Sequence, residues 1–464
     1  MLKTDHNAQA SHSHFPSNDE ILSILADRVD GRRQSIGIVV GMIDGGRRRV
    51  VSYGRHSADN TSTPDGDSVF EIGSITKVYT ALLLADMVGR GEATFDEPVQ
   101  DLLPSGVVIP ERNGRKITLQ QLSTHLSGLP RMPDNFNGDD PDPYRHYTVD
   151  ALYQFLAAHE LTRDVDTVEE YSNLGVGLLG HALTCRANKD YETLIRERVT
   201  GPLGMHSTSI ELSDSMKIRL VPGHDASLRP VPGWNLGPSP FAGAGALRST
   251  VNDQLTLMDT IFGQRKSSLD HAIEETMTLR QRVADHDIAL GWGAKAVGDD
   301  VLYGHDGGTA GYRSIMLFYR RARIGVVLMS NAAGDVGDIA HHLLNPAKPL
   351  NKARVIVPVD QAVLQSYTGR YELRADFVIT VTEADQHLIA QATGQGPFGI
   401  FPENAREFFA DFDLNVQVTF NVDSHGVVVS MTLRQHGKDT EMLKIGGARA
   451  NFNIGAQSGV RQKE

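Results

Sequence analysis

Between residues 35 and 345 the hydrophobic pattern changes period twice, and this limits the folds open to the chain more than any other feature. SIGIVVGMID and RRRVVSYGR are β-rich runs joined at Asp44-Gly45-Gly46, a strong hairpin signal. From residue 74 to 200 the pattern turns largely helical, in VYTALLLADMVGRG, TLQQLSTHL, TVDALYQFLAAHE and LGVGLLGHALTCRA. Beyond 285 strands return: LGWGAKAVGDDVLYGHDGG leads into YRSIMLFYRRARIGVVLMSN, where two apolar runs flank a basic turn. A unit that starts and ends in strands with helices between them predicts one antiparallel sheet made from both ends of the segment, flanked by helices and carrying a helical subdomain. The fold class is α+β.

At 464 residues the chain exceeds what one hydrophobic core usually serves. Prolines and lysines in LLNPAKPLNKARVIVPVD mark a linker over 346–358. Beyond it FVITVTE, HLIAQAT, FGIFP, EFFADF, VQVTFNVD and GVVVSMTL are short strands at regular spacing, which predict a small β-barrel over 359–464 with a side-chain-filled interior. At the other end residues 1–19 read as a disordered tail, followed by helical spacing in NDEILSILADRVDGR. The larger domain is therefore expected over 20–345.

Charge narrows the partners. A net charge of -12 with no cluster of Lys and Arg argues against nucleic acid. No run of ~18 apolar residues is present to span a membrane, and MLKTDHNAQASHSHFPSND lacks the apolar core of a signal peptide, so a cytoplasmic location is expected, or a periplasmic or secreted one if a signal lies upstream of this sequence. The single cysteine, Cys185, reads as a buried small hydrophobe in an apolar helix. His6, His12 and His14 read as solvated tail residues, and no metal or other cofactor is implied. Oligomeric state is not legible.

The chemistry begins in EIGSITKVYT, residues 71–80. If Ser74 opens the helix that continues through TALLLADMV, Lys77 lies one turn on and on the same face, its amine within reach of the hydroxyl. A serine hydroxyl becomes a good nucleophile only when a base takes its proton, and a lysine can do so only if burial or a nearby charge lowers its pKa. Alone, the pair reads as a helix cap and a solvated lysine.

Two further segments change that reading. Tyr171-Ser172-Asn173 precedes LGVGLLGHAL, and His305-Asp306-Gly307-Gly308 precedes the last strand pair. The order S-x-x-K, Y-x-N, H-x-G resembles the penicillin-binding-protein and class C β-lactamase superfamily of serine hydrolases. LSTHLSGLP, GPLGMHST and AGALRSTVND look like recurring phrases of that family. The resemblance covers roughly residues 20 to 345, and the C-terminal part, opening at SYTGRYEL, is similar to lipocalin-like barrels appended to some members.

The resemblance implies that Ser74 attacks a carbonyl and carries the acyl group, with Lys77 and Tyr171 sharing the proton work in an order that stays open. It implies that Asn173, His305, Gly307 and Gly308 bind substrate, with the N–H groups of Ser74 and Gly308 forming an oxyanion hole. His305 departs from the K-T-G of typical β-lactamases toward the H-x-G of D-aminopeptidases and related esterases. Histidine is largely neutral at pH 7 unless a neighbour holds its proton. Asp306 should face the other side of a regular strand. The expected substrate is a small molecule or peptide, most of all a peptide containing D-amino acids. Carboxylesterase and weak β-lactamase activity are the alternatives, and a non-catalytic binding protein is the alternative of another class.

Overall fold

The computed structural model describes residues 13–445 apart from 139–141, 284–285, 353–355, 375–376, 385–386, 394, 411–415 and 436–437. The chain divides into two compact units, residues 1–353 and 354–464.

In the first unit the hairpin forms between β1 (Gly37–Asp44) and β2 (Arg47–Gly54). A short β3 (Phe70–Glu71) pairs with β4 (Arg248–Ser249) at the edge of the helical region. After the helices come β5 (Gln281–Val283), β6 (His286–Ala289), β7 (Trp292–Val297), β8 (Asp300–Gly308), β9 (Arg313–Tyr319) and β10 (Ile324–Ser330). Eight of these form one antiparallel sheet in the order β2-β1-β10-β9-β8-β7-β6-β5. Both ends of the segment therefore meet at β1 and β10, as the two hydrophobic runs require.

Strand period decides what lies on each face. Val39 and Ile43 of β1 join the larger core with Met316, Phe318, Val327 and Met329. Their alternates Ile38, Val40 and Met42 join Ile315, Leu317, Val326 and Leu328 in a second core, covered by the helices Asn18–Ala26 and Gly337–Leu344. The helix Thr76–Gly89 lies on the first face and is buried on every side from Thr76 to Met87. A helix without a polar face belongs inside a core.

The tail differs from expectation. Residues 1–12 lie outside the described residues, with His6 and His12 among them, but order begins well before residue 20. Phe15 is 5% exposed in the second core, His14 N donates to Asp44 Oδ2 at 2.8 Å, and Ser17 and Glu20 form a reciprocal cap on the helix that starts at Asn18. The partners of Phe15 come from strands and a helix distant in sequence, so local pattern could not show the burial. Cys185 is half-buried rather than buried, with its sulfur 3.6 Å from His181 Nε2.

The second unit is a closed eight-stranded barrel running from Gly369–Arg374 to Lys438–Ile445, the first strand pairing with the last. Its interior is filled by Tyr371, Phe408, Phe420, Met431 and Met442, all fully buried. Tyr367 stacks on Phe420 at 4.2 Å between centroids, at the end of the helix Gln361–Tyr367. Among the described residues no helix is long and apolar enough to cross a membrane.

Candidate active site

Ser74 does not cap a helix. It sits in a 3-10 turn, Gly73–Ile75, that runs straight into the Thr76–Gly89 helix, and no side chain caps either segment. Three residues per turn eclipse positions i and i+3, which stacks Lys77 over Ser74. Lys77 is 1% exposed, so its amine must be satisfied inside the protein. Its Nζ donates to Ser74 Oγ at 2.9 Å, to Asn173 Oδ1 at 2.9 Å and to Ala244 O at 2.7 Å. Burial first, then the Arg131 charge, pushes this amine well below the usual lysine range, while Asp306 opposes the shift.

The second segment is organised by its middle residue. Ser172 is the N-cap of the helix Asn173–Ala187, its Oγ accepting from Gly175 N at 2.8 Å and donating to Pro130 O at 2.7 Å. That places Asn173 at the first helical position, facing Lys77, and Tyr171 just ahead of the helix. Asn173 N and Leu174 N both donate to Arg131 O, at 3.1 and 3.2 Å, so the helix start is tied to the loop before it.

Tyr171 is surrounded by basic groups. Its ring centroid lies 4.9 Å from Lys77 Nζ and 5.1 Å from the Arg131 guanidinium, with the His125 ring at 4.5 Å and the His305 ring at 6.2 Å. Burial pushes the phenol pKa up, and a hydrogen bond with Ser74 and the Arg131 charge pull it part of the way back. At neutral pH it remains a phenol.

β8 brings the third segment alongside. Its backbone approaches the Ser74 turn so closely that a Cβ on Gly307 would lie 2.0 Å from Ile72 O, and one on Gly73, at φ +48°, would lie 2.7 Å from Gly308 N. Only glycine fits either position. Ser314 Oγ on β9 donates to the same Ile72 O at 2.8 Å and holds the turn against the sheet.

His305 pairs across the ladder with Met316, on the face of the larger core, whereas Asp306 pairs with Ile315, on the opposite face. His305 therefore faces Tyr171, and Asp306 is exposed on the side of His341 in the Gly337–Leu344 helix. His305 Nδ1 donates to Asp306 O at 2.7 Å, which leaves Nε2 as an acceptor in the neutral ring. Burial lowers the pKa of this imidazole and the Lys77 charge adds to the effect, against the pull of Asp306. It carries no standing positive charge at pH 7.

Ser74, Lys77, Tyr171, Asn173, His305, Gly307 and Gly308 thus meet in one place. Three more groups join them that residue type and spacing do not reveal. His125 sits in the left-handed region at φ +60° and its Nδ1 accepts from Ser172 N at 3.1 Å, so it clamps Tyr171 by its ring and its neighbour by the backbone. Burial first, then the neighbouring basic groups Lys77, His305 and Arg131, lower its pKa. The others are Arg131 and the Ala244 carbonyl. The signal available for His125 and Ala244 was the wording of LSTHLSGLP and AGALRSTVND, in which they stand.

Residues 23–345, more than half of the chain, match the family described as Beta-lactamase. The protein belongs to the beta-lactamase family. Within that family it is a member of the penicillin-binding-protein and class C serine hydrolase superfamily. The beta-lactamase-family relative D-alanyl-D-alanine-carboxypeptidase/endopeptidase AmpH of Escherichia coli strain K12 is 32% identical over 202 residues, covering 44% of this chain and 52% of that protein. The chain thus spans about half the length of that relative. Penicillin-binding protein 4 of Amycolatopsis lactamdurans is 28% identical over 318 residues, covering 63% of this chain and 80% of its own. The crystal structure of a class C beta-lactamase from Rhodobacter sphaeroides shares the fold, with a TM-score of 0.62 and 23% identity over 71% of this chain and 99% of that one. Residues 353–446 match a second family, described as a domain of unknown function (DUF3471).

Proposed function

We propose that the protein is a serine hydrolase that forms an acyl-enzyme on Ser74 and acts on peptidoglycan-type peptides containing D-amino acids. The observation that carries this reading is the bonding of Lys77. Two acceptors, Asn173 Oδ1 and Ala244 O, occupy two of its N–H groups, so a neutral amine has its lone pair left for Ser74 Oγ. Burial makes that neutral amine accessible.

In the proposed sequence Ser74 Oγ attacks the carbonyl carbon and its proton passes to Lys77 Nζ. The carbonyl oxygen becomes an oxyanion held by the N–H groups of Ser74 and Gly308, each worth ~3 kcal/mol of transition-state stabilisation. Tyr171, still a phenol and beside Lys77, relays a proton from Lys77 to the leaving amine as the C–N bond breaks. Water then attacks the ester on Ser74 by the same route in reverse order. Asn173 Nδ2 faces away from Lys77, in contact with Met132 Sδ at 3.7 Å, and is the donor left for a substrate amide.

The peptide substrate is supported by the carboxypeptidase/endopeptidase activity for which the AmpH relative is named. A second reading, carboxylesterase, is favoured by the neutral His305, which puts no standing cation where K-T-G enzymes have lysine. Incubation with a fluorophosphonate should leave an adduct on the peptide containing Ser74, read by mass spectrometry, and Ser74→Ala should abolish it. Adduct formation that survives the substitution would sink the proposal. Turnover of D-alanine p-nitroanilide, p-nitrophenyl butyrate and nitrocefin, each against the Ser74→Ala control, separates peptidase, esterase and β-lactamase.

A further inference from the structure

A substrate that ends in a carboxylate needs a positive partner in the cleft, and His305 does not supply one at pH 7. Lys77 is positive only when it cannot serve as a base, and all its donors are committed. A different cation stands at the mouth of the site. The main-chain carbonyl of Arg131 is fixed by Asn173 N and Leu174 N, which sets the position from which its side chain extends. The guanidinium lies 5.1 Å from the Tyr171 ring centroid.

No carboxylate answers the charge of Arg131, unlike that of several other arginines. Arg163 is paired with Glu170, Arg248 with Glu71 and Arg198 with both Glu92 and Asp86. Among the described residues, Arg131 has no carboxylate within ion-pair distance and its side chain donates no hydrogen bond. It is also exposed, so a ligand can reach it. Asp306, which could have neutralised it, belongs to the other face of the sheet. Five N–H donors in a planar fork match a carboxylate in two-point contact. In a peptide the terminal carboxylate lies one residue, about 3.5 Å of chain, beyond the carbonyl that Ser74 would attack. Arg131 and Lys77, the amine bonded to that serine, both lie over the Tyr171 ring.

We infer that Arg131 is the anchor for a substrate carboxylate, doing from the loop before the Asn173–Ala187 helix what a strand lysine at position 305 would otherwise do, and that the cleft therefore prefers peptides with a free C-terminal carboxylate. This rests on the acyl-enzyme reading of Ser74 and narrows its substrate class.

The test compares N-acetyl-D-alanyl-D-alanine with its C-terminal amide as competitors against labelling of Ser74 by a neutral fluorophosphonate. In the unaltered protein the acid should compete about tenfold better than the amide, the size expected of a hydrogen-bonded charge pair. Arg131→Gln should bring the two within about twofold, and Arg131→Lys, which keeps the charge without the fork, should retain part of the preference. Labelling of the variants also reports that their sites are folded. An unaltered protein with no preference, or a preference that survives Arg131→Gln, overturns the inference. If the preference behaves as expected but neither peptide is cleaved, the peptidase reading falls and the carboxylate anchor stands; cleavage of both peptides without preference has the opposite meaning.

Discussion

Tyr371 in the barrel and Tyr171 in the cleft are both tyrosines whose pKa burial pushes up, and both have a lysine near the ring. Their hydroxyls have different fates. Tyr371 is fully buried and donates to Tyr367 O at 2.7 Å, a carbonyl that can only accept, and Lys444 bonds elsewhere, to Ser366 O at 2.8 Å. The phenol of Tyr171 meets Ser74, an oxygen that both gives and takes a proton, and the lysine beside it bonds that same oxygen. Burial alone therefore does not distinguish a reactive tyrosine from a structural one. The difference lies in whether the hydroxyl ends on a fixed acceptor or enters a chain of exchangeable protons.

The most severe way to break this contrast is to remove the group that makes the chain exchangeable. Lys77→Met should slow Ser74 acylation about a thousandfold, within the range general-base catalysis supplies, as read from the time course of fluorophosphonate labelling. A loss under about tenfold would mean that another group takes the serine proton. A matched pair sharpens the comparison. Tyr171→Phe should lower the acylation rate about a hundredfold and change stability by less than about 1 kcal/mol, because Ser74 Oγ keeps its bond to Lys77 when the phenol is lost. Tyr371→Phe should instead destabilise the barrel by about 1–3 kcal/mol, since it orphans the buried Tyr367 carbonyl. Denaturant unfolding read alongside acylation separates the two outcomes, and both substitutions moving the same observable would erase the distinction.

The two regions were also unequally legible. The sheet could be read from apolar runs because β1 and β10 are buried on both faces, and such strands announce themselves as near-continuous hydrophobic stretches. Six barrel strands were read from their alternation, but Gly369–Arg374 and Lys438–Ile445 were not. Their outward positions carry Arg370, Glu372, Arg374, Asp439 and Glu441, which leaves Tyr371 and Met442 as the main inward signal. Closure of the barrel was thus expected from fold class and not from those segments. In the cleft, Ser74, Lys77, Tyr171, Asn173 and the His305 to Gly308 strand stood out because the ordered S-x-x-K, Y-x-N and H-x-G motifs name them. Ala244 acts through its carbonyl and His125 through a left-handed backbone and a ring nitrogen, contributions that residue type does not encode. Arg131 is an ordinary surface arginine until folding sets it over Tyr171.

The smallest expected effect tests how charge from outside the proton chain tunes it. Lys77 can accept the serine proton only as a neutral amine, so acylation should rise with pH through its folded-state pKa, which lies well below the ordinary lysine value. Burial lowers the pKa of His125 and His305 as well, and raises that of Tyr171. Arg131 lowers the pKa of Lys77 by repelling its ammonium form, and Asp306 raises it by attraction. Arg131→Gln removes the repulsion, the ammonium form becomes easier to hold, and the ascending limb moves to higher pH. Asp306→Asn removes the attraction and the limb moves to lower pH. Both side chains are exposed, so solvent screens them, the displacements should be small, and added salt should shrink both. Rates of p-nitrophenyl butyrate hydrolysis across pH for the two variants supply the measurement, because a neutral ester does not itself need Arg131 for binding. Limbs that move in the same direction, or a displacement that salt leaves untouched, would mean that these residues act on Lys77 through structure and not through charge.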